Sequence, residues 1–153
     1  MKFEKDTLYV WVGGSCDYGH KERAGGGAYI AETFATDSKD GVGGKIVDTY
    51  TTSDFNTKEF QMIYRAMDHV LEKFGTSECR ASSENRASSK NRAGTFEKIV
   101  FLSNVQYIQN YPKPENVEIG ILPYHKFPRQ KEVHDMASQA MRDLRSSGEG
   151  VNT

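Results

Sequence analysis

The stretch Leu8-Tyr9-Val10-Trp11-Val12-Gly13-Gly14-Ser15-Cys16 carries the reading of this chain. Thr7 to Val12 is rich in β-branched and aromatic residues and reads as a strand. Within it, Tyr9 and Trp11 are expected to pack against the core or a sheet face. Two glycines follow at the strand's end, the place where a side chain would meet solvent and could carry chemistry. Gly13 and Gly14 offer no side-chain ligand or base.

Working outward, Asp17 to Arg23 reads as a polar turn, and Gly25-Gly26-Gly27-Ala28-Tyr29-Ile30 opens a second strand. Its glycines suit a close approach of backbones. After a polar loop containing Asp37, Lys39 and Asp40, residues Gly44 to Thr52 read as a third strand, so the first three form an antiparallel meander. This third strand is a candidate edge that another chain could pair with. Phe60, Ile63, Met67, Val70, Leu71 and Phe74 then recur with helical spacing. Asn56 reads as the cap of that helix, with Glu59 three residues on as its capping-box partner. Glu97 to Leu102 reads as a buried strand, Val105 to Asn110 as a short helix before Pro112 and Pro114, and Val117 to Leu122 as a strand. Val133, Met136, Ala137, Ala140, Met141 and Leu144 mark a last helix, with Gly148 and Gly150 as its expected stop and 148–153 as a frayed tail.

Residues 76–96 break the pattern. Arg80-Ala81-Ser82-Ser83-Glu84-Asn85 is followed by Arg86-Ala87-Ser88-Ser89-Lys90-Asn91, a six-residue repeat with no apolar side chain larger than alanine. Such a segment cannot bury a core and reads as a disordered insert in a single domain spanning 1–147. It could act as an electrostatic tether or be a neutral loop expansion.

The chain has 153 residues, 27% of them charged and 37% apolar, which is enough for one buried core. Its net charge of −1 gives no general attraction to nucleic acid, so any such binding needs a local patch. No apolar run approaches the roughly 20 residues needed to span a bilayer, and Met1-Lys2-Phe3-Glu4-Lys5-Asp6 lacks the apolar stretch expected of a secretory signal. Cys16 and Cys79 read as free thiols, and the expected setting is cytoplasmic, with no membrane partner. Neither a phosphate-cradling Walker loop nor a zinc spacing is present; Gly25-Gly26-Gly27 lacks the lysine-serine pair that would follow.

In order, these segments resemble the ribonuclease H-like family. Gly13-Gly14-Ser15-Cys16 is similar to that family's Asp-Gly-Ser-Cys, and Ser103-Asn104-Val105-Gln106-Tyr107-Ile108 to its Asp-Ser-Gln-Tyr-Val. Glu59 matches the family's helical glutamate and Asp135, before Ala137, its last aspartate. His125, ten residues earlier, matches the spacing of its mobile loop histidine. The resemblance implies an α/β fold with a five-stranded mixed sheet in the order 3-2-1-4-5, flanked by helices. It also implies a site where four carboxylates hold two Mg²⁺ or Mn²⁺ ions that cut the RNA strand of an RNA/DNA hybrid.

Two of those carboxylate positions are Gly13 and Asn104 here. Mg²⁺ wants near-octahedral oxygen ligands, and two ions about 3.5–4 Å apart need an acidic cluster to tolerate each other. Glu59 and Asp135 alone would hold metal weakly. The leading expectation is therefore a catalytically impaired or inactive domain that binds nucleic acid, an RNA/DNA hybrid or a relative of one, or else a protein partner. Gly14, Ser15, Cys16, Asn56 and Gln106 would form the remnant groove. The alternative is an active metal-dependent nuclease in which Asp17 or Glu22 substitutes for the missing acid. Each remnant also has a plain reading: Glu59 as a cap, Asp135 as a solvated acid near a helix start, and His125 as an ordinary loop histidine.

Overall fold

The computed structural model describes residues 3–17, 23–35, 37, 44–74, 96–112, 116–123 and 126–151, with 147–151 by backbone alone. Its strands are β1 (Thr7–Cys16), β2 (Ala24–Thr33), β3 (Lys45–Phe55), β4 (Lys98–Ser103) and β5 (Val117–Ile121). Helix α1 (Glu59–Phe74) precedes β4, and helix α2 (Pro128–Val151) follows β5. The sheet order is β3-β2-β1-β4-β5, antiparallel through the β1, β2, β3 meander and parallel between β1 and β4 and between β4 and β5. The α/β class, the mixed sheet and the strand order are those expected from the sequence.

β1 runs through the middle of the sheet and divides the core by its two-residue period. Leu8, Val10 and Val12 join Ile63, Met67 and Val70 of α1 in one cluster. Tyr9 and Trp11 join Val133 and Ala137 of α2 in the other. With both faces covered, the strand reads as an unbroken apolar run rather than an alternating one. β3, at the edge, alternates between exposed and half-buried residues and leaves Ile46 and Val47 partly in solvent.

The glycine run of β2 is explained by this two-sided cover. A Cβ on Gly26 would overlap the Ala137 carbonyl oxygen of α2 and stand 2.9 Å from the Met141 nitrogen. One on Gly27 would overlap the Met62 carbonyl of α1, with the carbonyl carbon at 2.8 Å. Both helices thus rest their backbones on β2, one from each side.

α2 is tied down along its length. Glu32, fully buried on β2, accepts a bond from Trp11 Nε1 at 2.7 Å and another from Arg129 Nε at 3.3 Å. Gln130 Nε2 donates to the Val12 carbonyl at 3.3 Å. Further along, Arg145 donates to Asp17 Oδ2 from Nη2 at 2.8 Å and from Nε at 3.0 Å. These anchors set the rotation of α2 and so decide which of its residues meets the end of β1.

Local readings depart in four places. Asn56 is no cap: it takes a left-handed φ of 59°, which asparagine tolerates, and α1 begins three residues later. The cap is Lys58, whose N–H donates to Gln61 Oε1 at 2.8 Å, so the capping-box partner is Gln61 and not Glu59. The expected helix Val105 to Asn110 is a 3-10 turn over Gln106–Asn110. α2 runs on through Gly148 and Gly150 to Val151, because helical glycines cost only about 1 kcal/mol each. Residues 75–95, which hold the repeat, lie outside the described residues; Phe96, assigned to the insert, packs edge-on against Phe74 at 6.3 Å between ring centroids. No helix among the described residues is long and apolar enough to cross a membrane.

Candidate functional site

The register between β1 and β4 ends with Trp11 opposite Leu102. Gly13 and Asn104 each stand two residues beyond that pair, on neighbouring parallel strands. Gly13 turns its missing side chain toward α2: a Cβ there would stand 3.2 Å from Val133 Cγ1 and 3.3 Å from the His134 nitrogen. Gly14, on the opposite face, meets the first turn of α1, where a Cβ would lie 3.0 Å from Glu59 Cγ. Glu59 and His134 therefore flank the end of β1 from the two sides of the sheet, while Asn104 is exposed at the end of β4.

The cap of α1 falls on Lys58 and Gln61, so Glu59 is not the capping-box partner expected from the sequence. Burial pushes its carboxyl above the ordinary value of 4.5, and the charge of His134 opposes this without reversing it. A carboxyl whose folded pKa is raised adds stability in full below its unfolded value and loses it as the pH climbs through the folded one. Glu59→Gln is therefore expected to raise the urea midpoint at pH 7, with the gain vanishing below the ordinary carboxyl value of 4.5. Unfolding curves at both ends of that window check it; an unchanged or lower midpoint at neutral pH would show that burial does not dominate.

Asp135, matched in the sequence to the last acid, follows His134 on α2. It is exposed and bonded to Lys131 Nζ at 2.8 Å, and that ammonium holds its carboxyl below the usual range. His134 lies against the end of β1, its backbone nitrogen 3.3 Å from where a Gly13 Cβ would stand, and its charge acts on Glu59. The periodicity held the signal: Gln130, Val133 and Ala137 are the buried residues around it, and His134 lies one turn after Gln130. Of the other expected residues, Gly14 is buried, Ser15 and Cys16 are half-buried, and Asn56 and Gln106 are exposed. Cys16 Sγ lies 3.5 Å from the Thr57 carbonyl oxygen, to which Arg23 also donates at 3.3 Å. Asp17 is engaged by Arg145 and by the Ala24 N–H at 2.6 Å. His125 and Glu22 lie outside the described residues.

Sequence reasoning also missed an aromatic patch beside Glu59. Phe60 and Tyr107 have ring centroids 4.5 Å apart, Tyr64 donates to the Tyr107 carbonyl at 3.2 Å, and Tyr107 is 51% exposed.

No family model matches the sequence, and no curated protein matches it. Solved structures do match. LC9-RNase H1, a type 1 RNase H with the type 2 active-site motif, is 16% identical over 92% of this chain and 74% of its own, with a TM-score of 0.56. LC11-RNase H1 in complex with an RNA/DNA hybrid is 12% identical over 90% and 98%, also at 0.56. The N-terminal RNase H domain of rv2228c from Mycobacterium tuberculosis is 10% identical over 93% and 98%, again at 0.56. The chain has the ribonuclease H-like fold.

Set in a ribonuclease H-like frame, the donors present are one carboxylate, one carboxamide and one imidazole, from Glu59, Asn104 and His134, with nothing from Gly13. Two hard cations that each want about six oxygen ligands are poorly served by that set. Among the described residues, no three His, Cys, Asp or Glu side chains are grouped to hold a metal ion. The described site does not fit the two-ion centre that the fold implies.

Proposed function

We propose that this chain is a ribonuclease H-like domain that binds nucleic acid, an RNA/DNA hybrid first, and has lost two-metal hydrolysis. The observation that carries the reading is the pair of positions at the ends of β1 and β4, where the chain has Gly13 and Asn104, with the half-buried carboxylate of Glu59 packed at the end of β1. Losing the charge that would hold the ions removes several kcal/mol of transition-state stabilisation. Shape recognition is not removed with it, because a hybrid is met through its backbone and 2′-hydroxyls. LC11-RNase H1, which has the same fold, holds such a hybrid.

The active alternative needs a substitute acid. Asp17 is a poor one, since Arg145 and the Ala24 N–H already engage its carboxylate.

The test is a cleavage time course on a labelled hybrid in Mg²⁺ and in Mn²⁺, run beside a binding titration at rising salt. The expected result is no cleavage and binding that weakens as salt rises, the mark of phosphate contacts. Cleavage that Glu59→Gln abolishes would overturn the inactive reading. Absence of hybrid binding, with salt-independent capture of a protein, would move the function to a protein partner. The variant Gly13→Asp, Asn104→Asp asks whether the missing charges alone explain silence; its new side chain at 13 must displace Val133 by a few tenths of an ångström.

A further inference from the structure

On the β5 side of Asn104, two strands run out together. Ser103 pairs with Ile121, and the Leu122 N–H donates to the Ser103 carbonyl at 2.9 Å. The chain then turns sharply, with the Val105 N–H donating to Ser103 Oγ at 3.1 Å. This turn places the side chains of residues 104 and 106 around one open pocket of about 420 Å³, lined by Asn104, Gln106, Ile121, Leu122 and Pro123.

We propose that this pocket takes an unpaired purine base, adenine first, from a strand lying along the edge of the sheet. The inference rests on the nucleic-acid reading above and adds to it a single-stranded stretch beside the duplex, whose base the pocket reads. Each carboxamide presents a donor and an acceptor side by side. Adenine presents the matching pair, the N6 amino group and N7, which Asn and Gln meet bidentately. An aspartate at 104 could only accept at neutral pH, so the same change that removes a metal ligand creates an edge able to read a base. Ile121, Leu122 and Pro123 offer apolar walls to the faces of the ring. No cation is among the described lining residues, so the pocket favours a neutral ring over a phosphate. Its volume lies within the roughly 300–1,000 Å³ typical of small-molecule sites, enough for a base with its sugar.

The experiment is an NMR titration of the isotope-labelled protein with adenosine, and separately with ribose 5-phosphate, following the side-chain amide signals of Asn104 and Gln106. Adenosine is expected to move those signals saturably and ribose 5-phosphate to leave them in place. Asn104→Asp and Gln106→Leu should each weaken adenosine by about fivefold or more, the worth of one hydrogen bond, while Glu72→Gln on exposed α1 surface should not. No shift at millimolar adenosine, or equal shifts from ribose 5-phosphate, would overturn the pocket. Hybrid binding alongside either of those results would leave the broader reading standing. Adenosine binding by a protein that ignores every polynucleotide would sink the broader reading and overturn the assignment of the base to a strand.

Discussion

Gly26→Ala is expected to cost roughly 3 kcal/mol or more of folding stability, at or beyond the upper end of overpacking penalties. The added methyl would occupy the place of the Ala137 carbonyl oxygen and press on the Met141 nitrogen. Neither is a side-chain tip that can rotate away; both are helix backbone. β2 cannot retreat, because Gly27 rests against the Met62 carbonyl of α1 on the opposite face. α2 must therefore lift off the sheet, uncovering Trp11, Ile30 and Val133 of the second core cluster. Urea unfolding of the variant beside the parent checks this; a midpoint shift worth less than about 1 kcal/mol would mean that α2 can slide without losing its packing.

Glu32→Ala should be nearly as damaging, at about 3 kcal/mol, the low end for breaking a buried ion pair. The carboxylate is fully buried, and removing it leaves the Trp11 Nε1 donor without an acceptor and the Arg129 guanidinium without its partner inside the protein. Arg129 is 26% exposed and keeps Glu132 as a second partner, which moderates the loss. Glu32→Gln should cost less, since it retains an oxygen for the indole. Trp11 is the chain's one tryptophan, so its fluorescence reports this pocket directly. Parent-like stability in Glu32→Ala would mean that water replaces the carboxylate freely.

The strands and helices were legible because their apolar residues repeat with the period of the element and are held between two layers. β1, covered on both faces, left an unbroken run, and α1 left Ile63, Met67, Val70 and Phe74 on one stripe. The glycine run of β2 was legible as close approach, though not which helix met which glycine. The site was less so. The motif order located Gly13, Glu59 and Asn104, and the structure gathers them at one end of the sheet. At the last position the motif pointed to Asp135, which is exposed and paired with Lys131, while the neighbouring His134 packs its backbone against Gly13; adjacent helical residues differ by about 100° in direction, and short motifs do not carry that angle. Asp17 looked available because its partner, Arg145, is 128 residues away.

By itself, then, the sequence determined the element order, the sheet class and the absence of a carboxylate at positions 13 and 104, since each follows from local pattern or from the identity of a residue. Tertiary structure alone decided that the His134 backbone packs against the end of β1, that the cap of α1 is Lys58 with Gln61, and that Asp17 is held by Arg145. Those outcomes depend on how α2 is turned by Glu32, Gln130 and Arg145 and on where α1 begins against Gly14. Packing between segments distant in sequence sets both.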